Sequence, residues 1–152
     1  MLRVTPDKVK ELKPREVFVF GSNERGDHAG GAAKFAYEKF DARMGKGFGY
    51  TFDESNGRTF AIPTLNWIKA PLKIEEIQFY INRFLEFAKI RTDLVFYVTA
   101  IGTGIAGIPA EDVAPLFESA KIMPNVYLPQ VFWDVLNKKK KEEVETVIPE
   151  IV

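Results

Sequence analysis

Two glycine-rich stretches hold the most chemically informative residues of this chain. Val17-Phe-Val-Phe-Gly-Ser-Asn23, followed by Gly30-Gly31-Ala32-Ala33, is answered much later by Ile101-Gly-Thr-Gly-Ile-Ala-Gly107. Each is an apolar run that stops at glycine and small polar residues before a helix-like segment. Glycine lets a ligand approach the backbone and permits positive φ. Backbone N–H groups and a helix N-terminus then favour a phosphate or diphosphate. A pair of such junctions points to one anionic ligand held between them, although glycines also commonly do no more than punctuate strands and turns.

Side chains within these loops extend the chemistry. Asn23 either hydrogen-bonds a ligand or caps its own turn. Asp27 and His28 are adjacent titratable groups, candidates for a general base that activates water. A lone loop histidine is otherwise a surface or hydrogen-bonding residue. Trp67 either stacks on a base or packs. Gly102-x-Gly104-x-x-Gly107 has dinucleotide-fingerprint spacing, but it falls late and the next strand ends in Leu128-Pro129 rather than an acidic residue. An ordinary NAD-binding Rossmann domain is therefore not expected. Neither loop ends in Gly-Lys-Ser/Thr, so there is no P-loop.

Composition narrows the classes further. The chain has 152 residues, 46% hydrophobic and 28% charged, with 21 basic and 21 acidic residues and no net charge. One folded domain over 1–137 is expected, followed by a charged tail over 138–152. Neutrality argues against a broad nucleic-acid-binding face. With no cysteine and one histidine, no thiolate or multi-histidine metal site is expected, and no cofactor is called for. There is no membrane-length apolar run and no signal-peptide pattern, so a cytoplasmic location is the expectation.

Elements must position these loops. Leu2 to Val4 reads as a short strand and Thr5-Pro6-Asp7 as the start of a brief helix. Glu16 to Phe20 predicts a strand buried on both faces. A helix is predicted from Ala32 towards Gly45, and a strand over Arg58–Ile62. The clearest helix spans Ile74 to Ile90, with Ile74, Ile77, Ile81, Phe84, Leu85 and Ala88 on one stripe. Leu94 to Ala100 is the most apolar strand. Ala110 to Ala120 reads as a helix limited by Pro115, Val126 to Leu128 as a strand and Val131 to Asn137 as a helix whose apolar face includes Trp133. This alternation predicts an α/β/α sandwich around a mixed, mainly parallel sheet.

At these residues the chain resembles the macro-domain family, and most of all a bacterial and phage branch of macro-like proteins. The likeness rests on Phe20-Gly-Ser-Asn23, Gly26-Asp-His28, Ala61-Ile-Pro-Thr64 and Ile101 to Gly107, in that order, and spans roughly Val17 to Leu128. It implies a three-layer fold with a cleft for ADP-ribose or a related nucleotide at the strand ends. By the same resemblance Gly102, Thr103, Gly104, Ile105, Ala106 and Gly107, with the helix that follows, would hold the diphosphate. Asn23 would bond the distal ribose, and Gly21, Ser22, Gly30, Gly31 and Ala32 would form the facing wall. Asp7 would be the nearest candidate to read adenine, or else a carboxylate in a first helical turn. Lys34 would be a further candidate beside a helix start, where an ordinary solvent-facing lysine is the alternative. The chain departs from the family pattern at Thr103, where close relatives often carry cysteine, and at Ser22, beside which the second asparagine is missing. The expected function is ADP-ribose binding; the alternative is a hydrolase that removes ADP-ribose from a modified macromolecule, with Asp27 and His28 as catalytic groups.

Overall fold

The computed structural model describes residues 2–55 and 57–138. Most of the charged tail therefore lies outside the described residues. Glu16–Asn23 (β1) is the central strand, because Val17 and Val19 belong to one buried cluster while Phe18 and Phe20 belong to another. A strand buried on both faces needs apolar side chains at every position, which is how its sequence reads. It pairs in parallel with Gly57–Leu65 (β3) on one side and with Val95–Val98 (β4) on the other. Val126–Tyr127 (β5) adds to β4 in parallel, and Gly49–Asp53 (β2) pairs antiparallel with β3. The sheet order is β2-β3-β1-β4-β5.

Helices cover both faces, giving three layers. Gly31–Phe40 (α1) packs Ala33, Ala36 and Phe40 against Phe18, Phe20 and Ala61. The other face carries Ile74–Ile90 (α2), Ala110–Val113 (α3), a 3-10 segment over Ala114–Ile122, and a helix over residues 130–138 (α4). Here Phe84 of α2 meets Phe60, Phe96 and Phe117 with ring centroids 5.0, 5.4 and 6.5 Å away. Trp133 of α4 is buried in the same cluster, and its indole N–H donates to the carbonyl of Arg3 at 2.8 Å.

Several expectations need correction. No helix starts at Thr5-Pro6-Asp7: the Thr5 hydroxyl donates to the Val98 carbonyl at 2.7 Å and its N–H to that of Leu128 at 2.9 Å, so the residue is tied to the sheet instead of capping a turn. Leu2 to Val4 contributes a single bridge, Val4 to Leu128. The segment after the second glycine loop is one α-turn followed by 3-10 structure, with Pro115 near the start of the latter and a non-helical Phe117. Strand β2 has no clear sequence signature, since Thr51 is its inward residue while Tyr50 and Phe52 are partly exposed.

Phe84→Ala should destabilise the fold by about 3–5 kcal/mol, the usual cost of emptying an aromatic site that cannot collapse. Chemical denaturation checks this, and a loss below ~1 kcal/mol would show that the α2 contact with the sheet is not a principal core element.

Candidate functional site

Parallel pairing brings the C-terminal ends of β1, β3 and β4 to one edge of the sheet. A cleft of about 390 Å³ opens there, lined by Gly21–Asn23, Asp27, Ala29–Ala33, Thr64, Leu65, Lys69 and Thr99–Ala106. Its size falls within the range of small-molecule pockets. In chain order across the edge, the β3 loop lies on one side of β1 and the β4 loop on the other.

Two groups of backbone donors belong to residues that line this space. Helix α1 starts at Gly31 with no side-chain cap and no acid in its first turn, and its first internal bond is Lys34 N–H to the Gly30 carbonyl. The N–H groups of Gly31, Ala32 and Ala33 are the unpaired donors that every helix start leaves. In the second loop, Gly107 N–H closes onto the Gly104 carbonyl and Ile108 N–H onto that of Gly102. These bonds fold the loop while leaving the N–H groups of Gly104, Ile105 and Ala106 without a backbone acceptor among the described residues. Gly102 takes φ +82°, a conformation that a side chain would resist. A Cβ on Gly104 would meet nothing within 4 Å, so the space over this loop is open.

The hydroxyl groups of the cleft are already engaged. Ser22 Oγ donates to the Gly47 carbonyl, Thr103 Oγ1 to that of Ala100 and Thr99 Oγ1 to that of Val19. Asn23 exchanges two bonds with Asp27: its Nδ2 donates to the Asp27 carbonyl at 2.9 Å, and its Oδ1 accepts the Asp27 N–H at 3.0 Å. An amide has further donor and acceptor capacity beyond those two bonds. The charged groups of the lining are Asp27 and Lys69, which form an ion pair at 2.5 Å. The Lys69 ammonium holds the Asp27 carboxyl below its usual range. At the edge of this region Tyr80 donates to Glu24 at 2.6 Å, and burial with that carboxylate pushes the phenol up to about 12.

Comparison with known proteins gives the architecture a precedent. No protein-family model matches the chain, and no curated protein matches it in sequence. Among solved structures, the macrodomain of Mycobacterium tuberculosis DarG superposes over 85% of this chain and 97% of its own, with a TM-score of 0.61 at 16% identity. The chain has a macrodomain-like fold. A Bacteroides thetaiotaomicron protein solved by X-ray crystallography covers the same shares with a TM-score of 0.60 at 13% identity. A second protein from that organism, of unknown function, matches with a TM-score of 0.57 over 77% of this chain and 87% of its own, at 12% identity. Such identities speak for the fold alone.

The cleft gathers most of the residues singled out from the sequence: Gly21, Ser22, Asn23, Asp27, Gly30, Gly31, Ala32, Gly102, Thr103, Gly104, Ile105 and Ala106. Gly107 lies outside its lining, as does Lys34, which faces Glu38 one turn along α1 at 3.9 Å. Trp67 is 63% exposed on the turn that carries Lys69. Asp7 belongs to a second cavity, of about 660 Å³, which shares Gly31, Ala32 and Thr99 with the first. The helix expected to follow the second loop is four residues long, so it is α1 that brings a substantial helix N-terminus to the cleft. Thr64 closes the Ala61-Ile-Pro-Thr64 motif without a role of its own there, and Lys69 and Thr99 belong to no motif; only the strand order brings their segments alongside β1.

His28 stands apart from Asp27. It is 2% exposed and absent from the cleft lining, and its ring meets Phe20 edge-on at 5.3 Å. Nε2 donates to the Arg43 carbonyl at 3.0 Å, the His28 N–H points to Met44 Sδ, and Gly45 N–H bonds the Gly26 carbonyl. The imidazole thus ties the first loop to the 43–47 segment. Burial lowers its pKa, outweighing the opposing pull of the Arg43 and Lys46 carbonyls and the Asp27 charge. The folded chain therefore binds this proton less readily than the unfolded chain. Stability should be fully retained above about pH 6.5 and fall as the pH drops below it, by at most ~1.4 kcal/mol per pH unit for one proton. Denaturation between pH 7 and 5.5 checks this against His28→Gln, in which that part of the profile should flatten; parallel profiles would assign the proton elsewhere.

Proposed function

We propose that the cleft binds ADP-ribose or a closely related nucleoside diphosphate sugar. One observation carries this reading: N–H groups without a backbone acceptor, at the start of α1 and in the Gly102–Ala106 loop, belong to residues that line one cavity. Both donor sets favour a diphosphate, and glycine lets its oxygens come within hydrogen-bond distance of the backbone. The adjoining cavity, walled by Pro6, Asp7, Val9, Phe18 and Phe35, offers apolar surface for a nucleobase, with the Asp7 carboxylate as acceptor for an adenine amino group. At the opposite end Asn23 and Asp27 offer polar partners to a distal ribose. The macrodomain of DarG supports this reading through shared architecture.

Binding has more support than hydrolysis. A general base works best when its pKa lies near the working pH. Asp27 is shifted the other way by Lys69, and His28 lies buried behind the loop. Removal of ADP-ribose from a modified macromolecule would need water activated by another group, such as the diphosphate of the substrate itself.

Gly104→Val should keep the fold, because its side chain enters open space, and should weaken ADP-ribose by at least ~10²-fold by displacing charge-assisted N–H bonds. Calorimetric titration of the folded variant checks this, and wild-type affinity would remove the second loop from the site. Asn23→Ala should cost about 1 kcal/mol for ADP-ribose and almost nothing for AMP, which has no distal ribose. Equal losses for the two ligands would reduce Asn23 to its turn-capping bonds with Asp27.

A further inference from the structure

Lys69 is the most unusual residue of the cleft. It sits at φ +65°, a left-handed conformation that non-glycine residues rarely adopt. Its turn is rigidly made: Asn66 Oδ1 accepts the N–H groups of Ile68 and Ala70, Asn66 N–H bonds the Ala70 carbonyl, and Lys69 N–H bonds the Asn66 carbonyl. A bridge between Leu65 and Pro71 closes its base. The result is a fixed protrusion after β3 whose lysine reaches the first glycine loop and pairs with Asp27. The two side chains are 42% and 28% exposed, and a pair so open to solvent contributes little to stability. Strained backbone held by its surroundings clusters at functional sites.

Position and charge suggest what the pair does. Strand order puts the Lys69 turn on the β3 side of β1 and the Gly102–Ala106 donors on the β4 side, and the start of α1 lies beside the latter, where a Cβ on Gly30 would be 3.3 Å from the Ile105 side chain. The backbone donors and the ion pair thus line one cleft from different sides of β1. Beyond the diphosphate, a ligand meets a carboxylate whose counter-charge is already satisfied. That carboxylate still has lone pairs that accept hydroxyl donors. A further phosphate offers only acceptors and negative charge, and Lys69 is engaged elsewhere.

We infer that the Lys69–Asp27 pair is a specificity filter, which admits diphosphates ending in a neutral, hydroxyl-rich group and rejects those extended by a third phosphate. This rests on the nucleoside diphosphate sugar reading above and adds the residues that choose between ligands sharing one cradle. Asp27 supplies the discrimination, by repelling an anion and accepting hydroxyls. Lys69 positions that carboxylate and keeps its charge from weakening the cradle.

The test is calorimetric titration of ADP-ribose and of ATP, the latter with chelator, into wild type, Asp27→Asn, Lys69→Met and the double variant, each first checked for wild-type melting. Wild type should prefer ADP-ribose. Asp27→Asn, which frees Lys69 and removes the repelling charge, should shift the preference towards ATP by about tenfold, as expected for a specificity element built on repulsion. Lys69→Met, which bares the carboxylate, should weaken both ligands and ATP the more. The double variant should depart from the sum of the single effects, as contacting residues do. An ADP-ribose to ATP ratio within twofold of wild type in Asp27→Asn overturns the filter while leaving the cleft assignment intact. Failure of wild type to bind either ligand overturns the nucleotide reading, and the filter with it.

Discussion

Parallel pairing of β1 on both sides is the constraint from which the cleft follows. Register places Phe20 beside Ala61 and Val19 beside Val98, so the chain leaves all three strands at the same edge. The ends are packed closely: a Cβ on Gly21 would lie 3.6 Å from the Gly102 nitrogen, and Thr99 N–H bonds the Val19 carbonyl at 3.1 Å. The register shifts between Ser22 and Asn23, and the first loop stays tied to the end of β3, where Glu24 N–H bonds the Leu65 carbonyl at 2.9 Å. Both glycine loops are thereby held against the sheet, the first of them leading into α1 and the second into a helix of four residues.

The cleft is assembled by leaving local needs unmet. Helix α1 has no capping side chain at Gly30, and a Ser or Asp there would commonly add a few tenths of a kcal/mol. Such a cap would also occupy the donors that face the cavity. Support comes instead from behind, where His28 and Ser22 bond the carbonyls of Arg43 and Gly47. Gly26 and Gly47 are needed at this seam, because a Cβ on either would lie within 2.5 Å of the facing backbone. The first loop is therefore fixed by buried hydrogen bonds on its inner side and by an ion pair with Lys69 on its outer side.

How much of this is legible in the sequence varies with the physics involved. Strands β1 and β4 lie in apolar runs that lead into glycine, although β1 runs on through Gly21 to Asn23 and β4 stops at Val98, and α2 carries an uninterrupted apolar stripe from Ile77 to Ala88, so their types are evident. The glycine loops are legible for the same reason, and most of the residues that line the cleft stand in or beside them. Thr5 looks like a helix cap because its neighbours are Pro6 and Asp7, yet its partners are Val98 and Leu128, more than 90 residues away. His28 beside Asp27 looks like a titratable pair, but the chain turns between them so that one lines the cleft and the other packs on Phe20. Lys69 carries no local signal, because its role depends on β3 lying beside β1 and on a left-handed backbone angle.

The convergence of two sets of backbone donors on one diphosphate is read most directly by amide NMR during titration with ADP-ribose. The N–H resonances of Gly31, Ala32 and Ala33 and those of Gly104, Ile105 and Ala106 should move together, with one saturation curve and the shifts characteristic of new hydrogen bonds to an anion. Movement confined to one of the two loops, or centred on residues remote from the ends of β1 and β4, would contradict a shared cradle.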